Sequence, residues 1–325
     1  MSFSSTVKNE LCRIENINNC CLLAELAAAI CFNGTVDLSP GGGFSVRLTT
    51  ENAAFARRVY STIKKTCSIN PEVSIRRSKK LKKHVSYVIR ITHAAGSSRV
   101  LEQAGVSVNP GEAGADNDAG RRPVIVCGKK GLNRQCCRKA FLRGAFLASG
   151  SISDPEKTYH LEVISHTREQ AVCLTEILES FGVRSRIISR KGSFVVYLKE
   201  GESIVDFLNI TGAHNALMSL ENVRILKDMR NSVNRIVNCE TANLGKTVNA
   251  SLRHVENIRY IAENIGFDKL PPGLREIAEL RLASTDASLA ELGQMLSPPL
   301  GKSGVNHRLR KLDLIAEKHR KQGGS

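Results

Sequence analysis

Tryptophan is absent from this 325-residue chain, and aromatic residues make up only 5% of it. So little stacking surface argues against a protein that reads splayed single-stranded bases. Acid is scarce as well: 31 Asp and Glu stand against 47 Lys and Arg, a formal charge of +16. An excess of that size points to a polyanionic partner, nucleic acid ahead of an anionic membrane surface. Long apolar runs are missing. The longest, Cys20 to Phe32, is interrupted by Glu25 and falls short of the roughly 20 residues of a spanning helix. The first ten residues hold no apolar segment of the secretory kind, so a cytoplasmic protein without membrane contact is expected. The ten cysteines contain no C-x-x-C spacing and occur as singles and as the adjacent pairs Cys20-Cys21 and Cys136-Cys137. Neighbours on a helix point about 100° apart, which suits packing better than shared ligation. Free buried thiols are therefore expected, with no metal site and no cofactor.

What the chain does contain is a repeat. The segment Leu26-Ala-Ala-Ala-Ile-Cys-Phe-Asn-Gly34 returns as Leu142-Arg-Gly-Ala-Phe-Leu-Ala-Ser-Gly150, with the closing glycines 116 residues apart. Ala24 and Ala28 are spaced four apart, as are Ala140, Gly144 and Ala148, which clears one stripe of each helix of bulk. After Gly34 the pattern reads as an extended piece (35–39), a strand (44–49), a helix (51–67) bearing Phe55, Val59 and Ile63, and strands at 73–76 and 85–92. After Gly150 the same order returns: 151–153, a strand at 159–165, a helix at 168–181 closed by Gly182, and strands at 186–188 and 194–198. Each half is thus α-β-β-α-β-β with a trailing helix, near Val100 and Ile204. Residues 104–122, rich in Gly, Ala, Asn and Asp, read as a flexible connector.

The two small-residue helices resemble the LAGLIDADG helices of single-chain homing endonucleases, and the repeated halves match that fold. The resemblance implies that the helices form the interface between half-domains. It also implies that an acid just before each closing glycine would hold the metal ions for DNA cleavage. Those positions are Asn33 and Ser149. Neither an amide nor a hydroxyl supplies the anionic oxygen that metal-assisted phosphodiester hydrolysis requires. Asp37 and Asp154 lie a few residues further on, where their side chains belong to the next element. No catalytic residues are therefore expected. Between two strands of the first half stand Arg76, Arg77, Lys79, Lys80, Lys82 and Lys83, with no acid among them. They are candidates for phosphate contact, against the ordinary alternative of a solvated turn. The second half offers only Arg184, Arg186, Arg190, Lys191 and Lys199.

From Ala216 onward the apolar spacing is helical. One helix is expected over 222–240, carrying Val223, Leu226, Met229, Val233 and Ile236, and another over 248–265, closed by Gly266. Asn231, Asn234, Asn238, Asn243 and Asn249 are poor helix formers, explicable by buried interhelical hydrogen bonds or by contact with a partner. Pro271-Pro272 marks a boundary. Beyond it come a helix over 274–283 and a capping box, Ser288 to Glu291, that opens a second helix running to Leu296. After a turn over 297–302, Ser303 is placed to cap a third helix with Val305, Leu309 and Leu312 on its inner stripe. Its outer face carries Asn306, His307, Arg310 and Lys311, with Arg308 on the flank. This is a helix-turn-helix pattern, in which the last helix enters the major groove of double-stranded DNA. Arg310 can bridge guanine O6 and N7, and Asn306 adenine N6 and N7. Lys302, Arg308 and Lys311 suit phosphates, and Ser303 and His307 complete the expected DNA-binding set. The bland alternative, an amphipathic hairpin with a solvated basic face, accounts less well for the net charge and the basic run 318–321.

Together, the degenerate double core, Ser-Leu-Ala-Glu-Leu-Gly (288–293) and Lys-Ser-Gly-Val-Asn-His-Arg-Leu-Arg-Lys (302–311) resemble the bacterial WhiA family. Segments 137–147 and 234–243 resemble it too. The resemblance implies a non-catalytic transcriptional regulator of cell division or chromosome segregation, tied to sporulation in some relatives. It further implies nucleoid association, a possible protein partner from transcription or cell division, and no small-molecule substrate. The alternatives are a LAGLIDADG-type nuclease, an RNA maturase, or an interaction scaffold with secondary DNA contact. The expected fold class is α+β, a pseudo-symmetric double α-β-β-α-β-β core followed by an all-α helix-turn-helix domain. The expected segments are 1–103, the connector 104–122, 123–214, a helical linker 215–270 and 271–325.

Overall fold

The computed structural model describes residues 2–15, 18–38, 44–77, 85–109, 124–128 and 131–322. The chain divides into two compact units, Met1–Lys227 and Asp228–Ser325. Unit 1 opens with α1 (Phe3–Leu11), a helix the sequence reading did not anticipate, which is capped by Ser2 and packed through Val7 and Leu11. The first half then runs α2 (Asn19–Asn33), β1 (Gly34–Leu38), β2 (Phe44–Thr50), α3 (Ala53–Cys67), β3 (Glu72–Arg77), β4 (Val85–Ile91) and α4 (Ala94–Ala104). A small antiparallel sheet joins β5 (Val106–Asn109) to β6 (Val124–Cys127). The second half repeats the pattern as α5 (Gln135–Ser149), β7 (Gly150–Ile152), β8 (Leu161–Ser165), α6 (Arg168–Glu179), β9 (Arg186–Arg190), β10 (Ser193–Leu198) and α7 (Gly201–Thr211). The sheets have matching strand orders, β1-β2-β4-β3 and β7-β8-β10-β9. Side-chain alternation sends Val46, Leu48, Ile89 and Ile91 into the core of the first half, and Leu161, Val163, Val196 and Leu198 into that of the second.

The expected connector is shorter at its start. Ala104 still belongs to α4, and 106–109 pair with β6, burying Val106, because their apolar side chains find a core to cover. Residues 110–123 lie outside the described residues, as do Lys79, Lys80, Lys82 and Lys83 of the expected basic turn.

Helices α2 and α5 form the centre of unit 1, both buried along most of their length. An almost wholly apolar helix such as α2 has to be enclosed, and α5 supplies part of that enclosure. At the crossing, a Cβ added to Gly144 would collide with the backbone carbonyl oxygen of Glu25 and stand 2.9 Å from the Cβ of Ala28. The small-residue stripe therefore serves the close approach that its spacing suggests. Beside the crossing, Glu25 is buried and ion-paired on both sides. Arg58 of α3 holds it through Nε and, at 2.9 Å, through a second guanidinium nitrogen on Oε2, while Arg143 of α5 lies 3.4 Å from the same oxygen. Arg143 also donates to the Thr211 carbonyl at the end of α7 (2.9 Å), and Arg58 to the carbonyls of Cys12 and Ile14. Gln170 of α6 donates to Cys31 O (3.0 Å) and Ile125 O (3.1 Å), adding a second buried polar link between the halves.

The cysteines depart from expectation. The Sγ atoms of Cys20, Cys21, Cys136 and Cys137 all lie within 4.8 Å of one another. Cys136 is exposed, Cys20 half-buried, and Cys21 and Cys137 buried. The 100° divergence applies within one helix. Here two helix starts face each other, and the divergent thiols of each close onto those of the other. Cys239 is exposed and Cys31 is disulfide-bonded, so the expectation of free, buried thiols holds only in part.

The two helices expected over 222–240 and 248–265 are one, α8 (His214–Asn264), which is part of unit 1 up to Lys227 and of unit 2 from Asp228. No proline interrupts it, and the cost of its asparagines and of Gly245, at most about 1 kcal/mol each, is too small to break a long helix. The two compact units divide inside α8, between Lys227 and Asp228. Asn231, Asn234, Asn238, Asn243 and Asn249 are all exposed, which rules out burial between helices as their reason. Unit 2 continues through a short 3-10 turn (Phe267–Lys269) to α9 (Pro272–Ala283), α10 (Leu289–Met295) and α11 (Lys302–Gln322). Its core gathers Ile258, Ile261, Ile277, Ala278, Leu292, Leu296, Val305, Leu309 and Leu312.

Two glycines test this reading of the packing. Gly144→Val is expected to cost about 3 kcal/mol or more in urea unfolding, because backbone rather than a flexible side chain blocks the new atoms. Gly245→Ala, at a site on α8 with nothing within 4 Å, is expected to add about 0.5–1 kcal/mol of stability. Similar effects from both would show that helix propensity, not close approach, governs Gly144.

Candidate nucleic-acid interface

The helix-turn-helix is assembled by local signals that the structure realises. Ser288 and Glu291 form the reciprocal capping box: Ser288 Oγ accepts from Glu291 N at 3.3 Å, and Glu291 Oε2 from Ser288 N at 2.7 Å. The turn after α10 folds back so that Leu300 N donates to Gly293 O at 2.9 Å. Any Cβ at Gly293 would strike the Leu300 carbonyl oxygen, so this position requires glycine for the turn to close. At the start of the turn, Ser297 N donates to Glu276 of α9 (3.0 Å). Ser303 was expected to cap the third helix, but α11 already begins at Lys302, so Ser303 lies within its first turn.

With Val305, Leu309, Leu312 and Ala316 turned inward, the opposite face of α11 presents Ser303, His307 and Arg310, all exposed. Lys302 and Lys311 are exposed on its two flanks, and Asn306 is half-buried at the edge. Arg308 has a different setting. It donates to Gly273 O at 3.1 Å and lies 3.8 Å from Glu276, which commits its guanidinium to α9. Its position, nearer the inner stripe than the outer face, explains that choice. Leu314, 63% exposed, stands one turn beyond Arg310 on the outer face and was not singled out from the sequence. Its spacing of four from Arg310 was the available signal. The basic run 318–321 continues α11, and two of its members are used in packing. Arg320 stacks 4.4 Å over the Tyr260 ring, and His319 Nδ1 is 3.1 Å from the Tyr260 hydroxyl.

The rear of α11 is fixed to α8 by Asp313. This buried carboxylate accepts from Asn257 at 2.8 Å, with Arg253 at 3.3 Å and His254 Nε2 at 3.4 Å. Burial lowers the His254 pKa; Asp313 opposes the shift, while Arg253, Arg281 and Arg310 reinforce it. Nδ1 of His254 has no hydrogen-bond partner, as suits a ring held neutral.

In unit 1 the residues before the two closing glycines, Asn33 and Ser149, act as hydrogen-bond donors. Asn33 Nδ2 donates to Thr49 O (2.7 Å) and, across the half-domain interface, to Ala148 O (3.3 Å). Ser149 Oγ donates to Ile164 O at 2.6 Å. Asp37 faces out from β1, 3.7 Å from Arg47, and Asp154 accepts from Glu156 N in its own turn. Among the described residues, the only group of three or more potential metal-binding side chains is the cysteine set. A cavity of about 1600 Å³ opens beside Asn33, with Lys8, Arg13, Arg57, Arg58 and Lys65 outnumbering Glu15 and Glu51 on its walls. The strand register puts Arg47, Arg76 and Arg90 on the outer face of the first sheet and Arg186 and Arg190 on that of the second. Arg77 projects to the other side of β3. Arg184, Lys191 and Lys199 are exposed around the second sheet.

The His254 arrangement sets a pH dependence. A folded-state pKa below the ordinary 6.5 means that the unfolded chain binds the proton more readily. The stability contributed by the neutral ring is therefore present above about pH 6.5 and lost as pH falls from there through the lowered folded value. Thermal melts from pH 8 to 5 should show this loss, and His254→Gln should flatten it; an unchanged slope in the variant would exclude His254 as its source.

Comparison with known proteins gives one consistent result. The WhiA N-terminal LAGLIDADG-like domain matches residues 19–107, the WhiA LAGLIDADG-like domain 138–230, and the WhiA C-terminal HTH domain 233–316. The chain is 55% identical over 321 residues to a Ruminiclostridium cellulolyticum protein named "Probable cell division protein WhiA", covering 99% of both. It is 52% identical over 320 residues to the protein of that name from Alkaliphilus metalliredigens, covering 98% of this chain and 99% of the relative. Among solved structures, full-length WhiA from Thermatoga maritima is similar at a TM-score of 0.57 and 26% identity, covering 98% of this chain and 99% of the other. Among the described residues no helix is long and apolar enough to cross a membrane. With half its residues identical to those of curated relatives over nearly its full length, and with both unit types matched in order, the chain belongs to the WhiA family.

Proposed function

We propose that this protein is a non-catalytic, sequence-specific double-stranded DNA-binding regulator acting in cell division, and that it reads DNA through α11. The observation that carries this reading is the outer face of α11. Ser303, His307 and Arg310 project from a helix whose opposite side is locked to α8, α9 and α10, leaving them free for base edges in a major groove. Arg310 is suited to bidentate contact with guanine, and Asn306 at the edge to adenine. Lys302 and Lys311 flank the row where phosphates would pass and fix register. Arg308 contributes by holding α11 against α9. Transcriptional control of division genes, a role in chromosome segregation and residence on the nucleoid follow from this reading.

Unit 1 acts here as a nuclease-derived core without cleavage. Asn33 and Ser149 spend their polar groups on backbone carbonyls, and Asp37 and Asp154 are engaged with Arg47 and with Glu156 N, which speaks against a pair of carboxylates poised there for divalent metal. The outer-face arginines of its sheets, Arg76 included, add sequence-independent phosphate contact. A scaffold role has one observation in its favour. Met229, Val233, Ile236, Val237, Leu244, Val248 and Leu252 leave an apolar stripe of α8 about half exposed.

Footprinting and binding at fixed salt test the proposal. Arg310→Ala is expected to weaken specific binding about 10- to 100-fold and to relax discrimination at one base pair. Lys302→Ala should weaken binding to all sequences and lower the salt slope by about one. Specific footprints that survive the Arg310/Lys311 double alanine variant would sink the assignment to α11. Magnesium-dependent cutting of supercoiled DNA that disappears with Asp37→Asn or Asp154→Asn would restore the nuclease.

A further inference from the structure

We propose that Cys20, Cys21, Cys136 and Cys137 form a tetrathiolate site for a single zinc ion, which joins the two half-domains at the starts of α2 and α5. The geometry comes first. Four unbonded sulphurs in van der Waals contact, about 3.6 Å apart, would span about 5.1 Å across a flat square. All four Sγ atoms here lie within 4.8 Å of one another, and Cys136 and Cys137 are 4.0 Å apart, so the set is three-dimensional rather than flat. A Zn–S bond of about 2.3 Å requires sulphurs about 3.8 Å apart on a tetrahedron, which these thiols reach by moving inward about half an ångström or less.

Symmetry explains why adjacent cysteines can serve. Cys20 and Cys136 are 116 residues apart, the offset of the repeat itself, and occupy equivalent positions in the first turns of α2 and α5. The pseudo-twofold relation between the halves thus crosses one vicinal pair over the other. Two crossed pairs give the alternating corners of a tetrahedron, which one helix alone could not.

The surroundings favour thiolate. Both helix starts point their positive ends at the sulphurs, and neither N-cap residue, Asn18 or Arg134, caps its helix with a side chain. The amides of Cys21 and Cys137 donate to the N-cap carbonyls of Asn18 and Arg134, which leaves the earlier first-turn amides to face anionic sulphur, and no acidic residue stands in either first turn. The donor set is soft, without carboxylate or imidazole, and so selects zinc over magnesium or calcium. An iron–sulphur cluster would interpose its own atoms and demand wider spacing. Binding forms four Zn–S bonds and releases four thiol protons to solvent, with no change of oxidation state. The partial exposure of Cys20 and Cys136 gives the ion its way in.

The test uses the full chain, purified under reducing conditions, with zinc ion alone as the probe. Elemental mass spectrometry should find about one zinc per chain. Cys239→Ser, which alters the exposed cysteine of α8, should keep it, and Cys20→Ser/Cys136→Ser should lose at least nine-tenths of it. Cobalt(II) in place of zinc should give the intense charge-transfer and d–d absorption of a tetrahedral tetrathiolate. That spectrum, read on the unaltered chain, decides the matter even if the double variant does not fold. No stoichiometric zinc, zinc undiminished in a folded double serine variant, iron in its place, or a disulfide linking residues 20 or 21 to 136 or 137 under these conditions would each overturn the proposal.

Discussion

The fold of unit 1 rests on one close approach, the crossing of α2 and α5 where Gly144 lies against the backbone of Glu25. Two four-stranded sheets cannot be brought onto a common centre unless the helices between them come close. The stripe of Ala24, Ala28, Ala140 and Gly144 permits that distance, and the distance in turn fixes what can stand beside it. A buried carboxylate would be costly in so apolar a seam. Glu25 is tolerated because Arg58 approaches from its own half and Arg143 from the other, each also donating to backbone carbonyls. Such a triad stabilises little overall, yet removing one member would strand a charge, at a cost of about 3–5 kcal/mol. It therefore acts mainly to specify which surfaces meet.

The same approach governs what stands at the closing ends of α2 and α5. Their last turns end on Asn33 and Ser149, where the resemblance to homing endonucleases leads one to expect acids. Packing demands small or hydrogen-bonding residues there but not charge. Asn33 uses its amide to reach the carbonyl of Ala148 across the interface, and Ser149 ties its helix end to β8. Asn33 thereby links the two halves, whereas Ser149 acts within the second. The cavity beside Asn33 is lined by more basic than acidic side chains, which gives it a positive field.

The repeated half was legible because strand alternation, closing glycines and the small-residue stripe are all local and all recur in register. The helix-turn-helix was legible for similar reasons: a capping box, a glycine where the turn folds back, and an apolar stripe at spacings of four and three. What escaped was everything decided by a neighbour. A continuous α8 looked like two helices because asparagines and Gly245 lower propensity, though not enough to stop a helix already propagating. Arg308 looked like a phosphate ligand until α9 supplied a carbonyl and a carboxylate closer at hand. The vicinal cysteines looked divergent because the angle between them was judged on one helix, whereas their convergence belongs to two.

In unit 2 the exposed face of α11 is held in place by residues that are not part of it. The angle of α11 to α10 depends on Gly293, whose missing side chain admits the Leu300 carbonyl. Its attachment to α8 depends on Asp313, which gathers Asn257, His254 and Arg253, and on Arg320 against Tyr260. None of these groups faces outward from α11 as Ser303, His307 and Arg310 do. The residues that orient α11 and those that it exposes are thus different side chains on one helix. An exchange at 303, 307 or 310 alters the exposed face while the packing holds its geometry. A change at 293 or 313 would displace that whole face at once, since a helix turned by a few degrees moves all its side chains together.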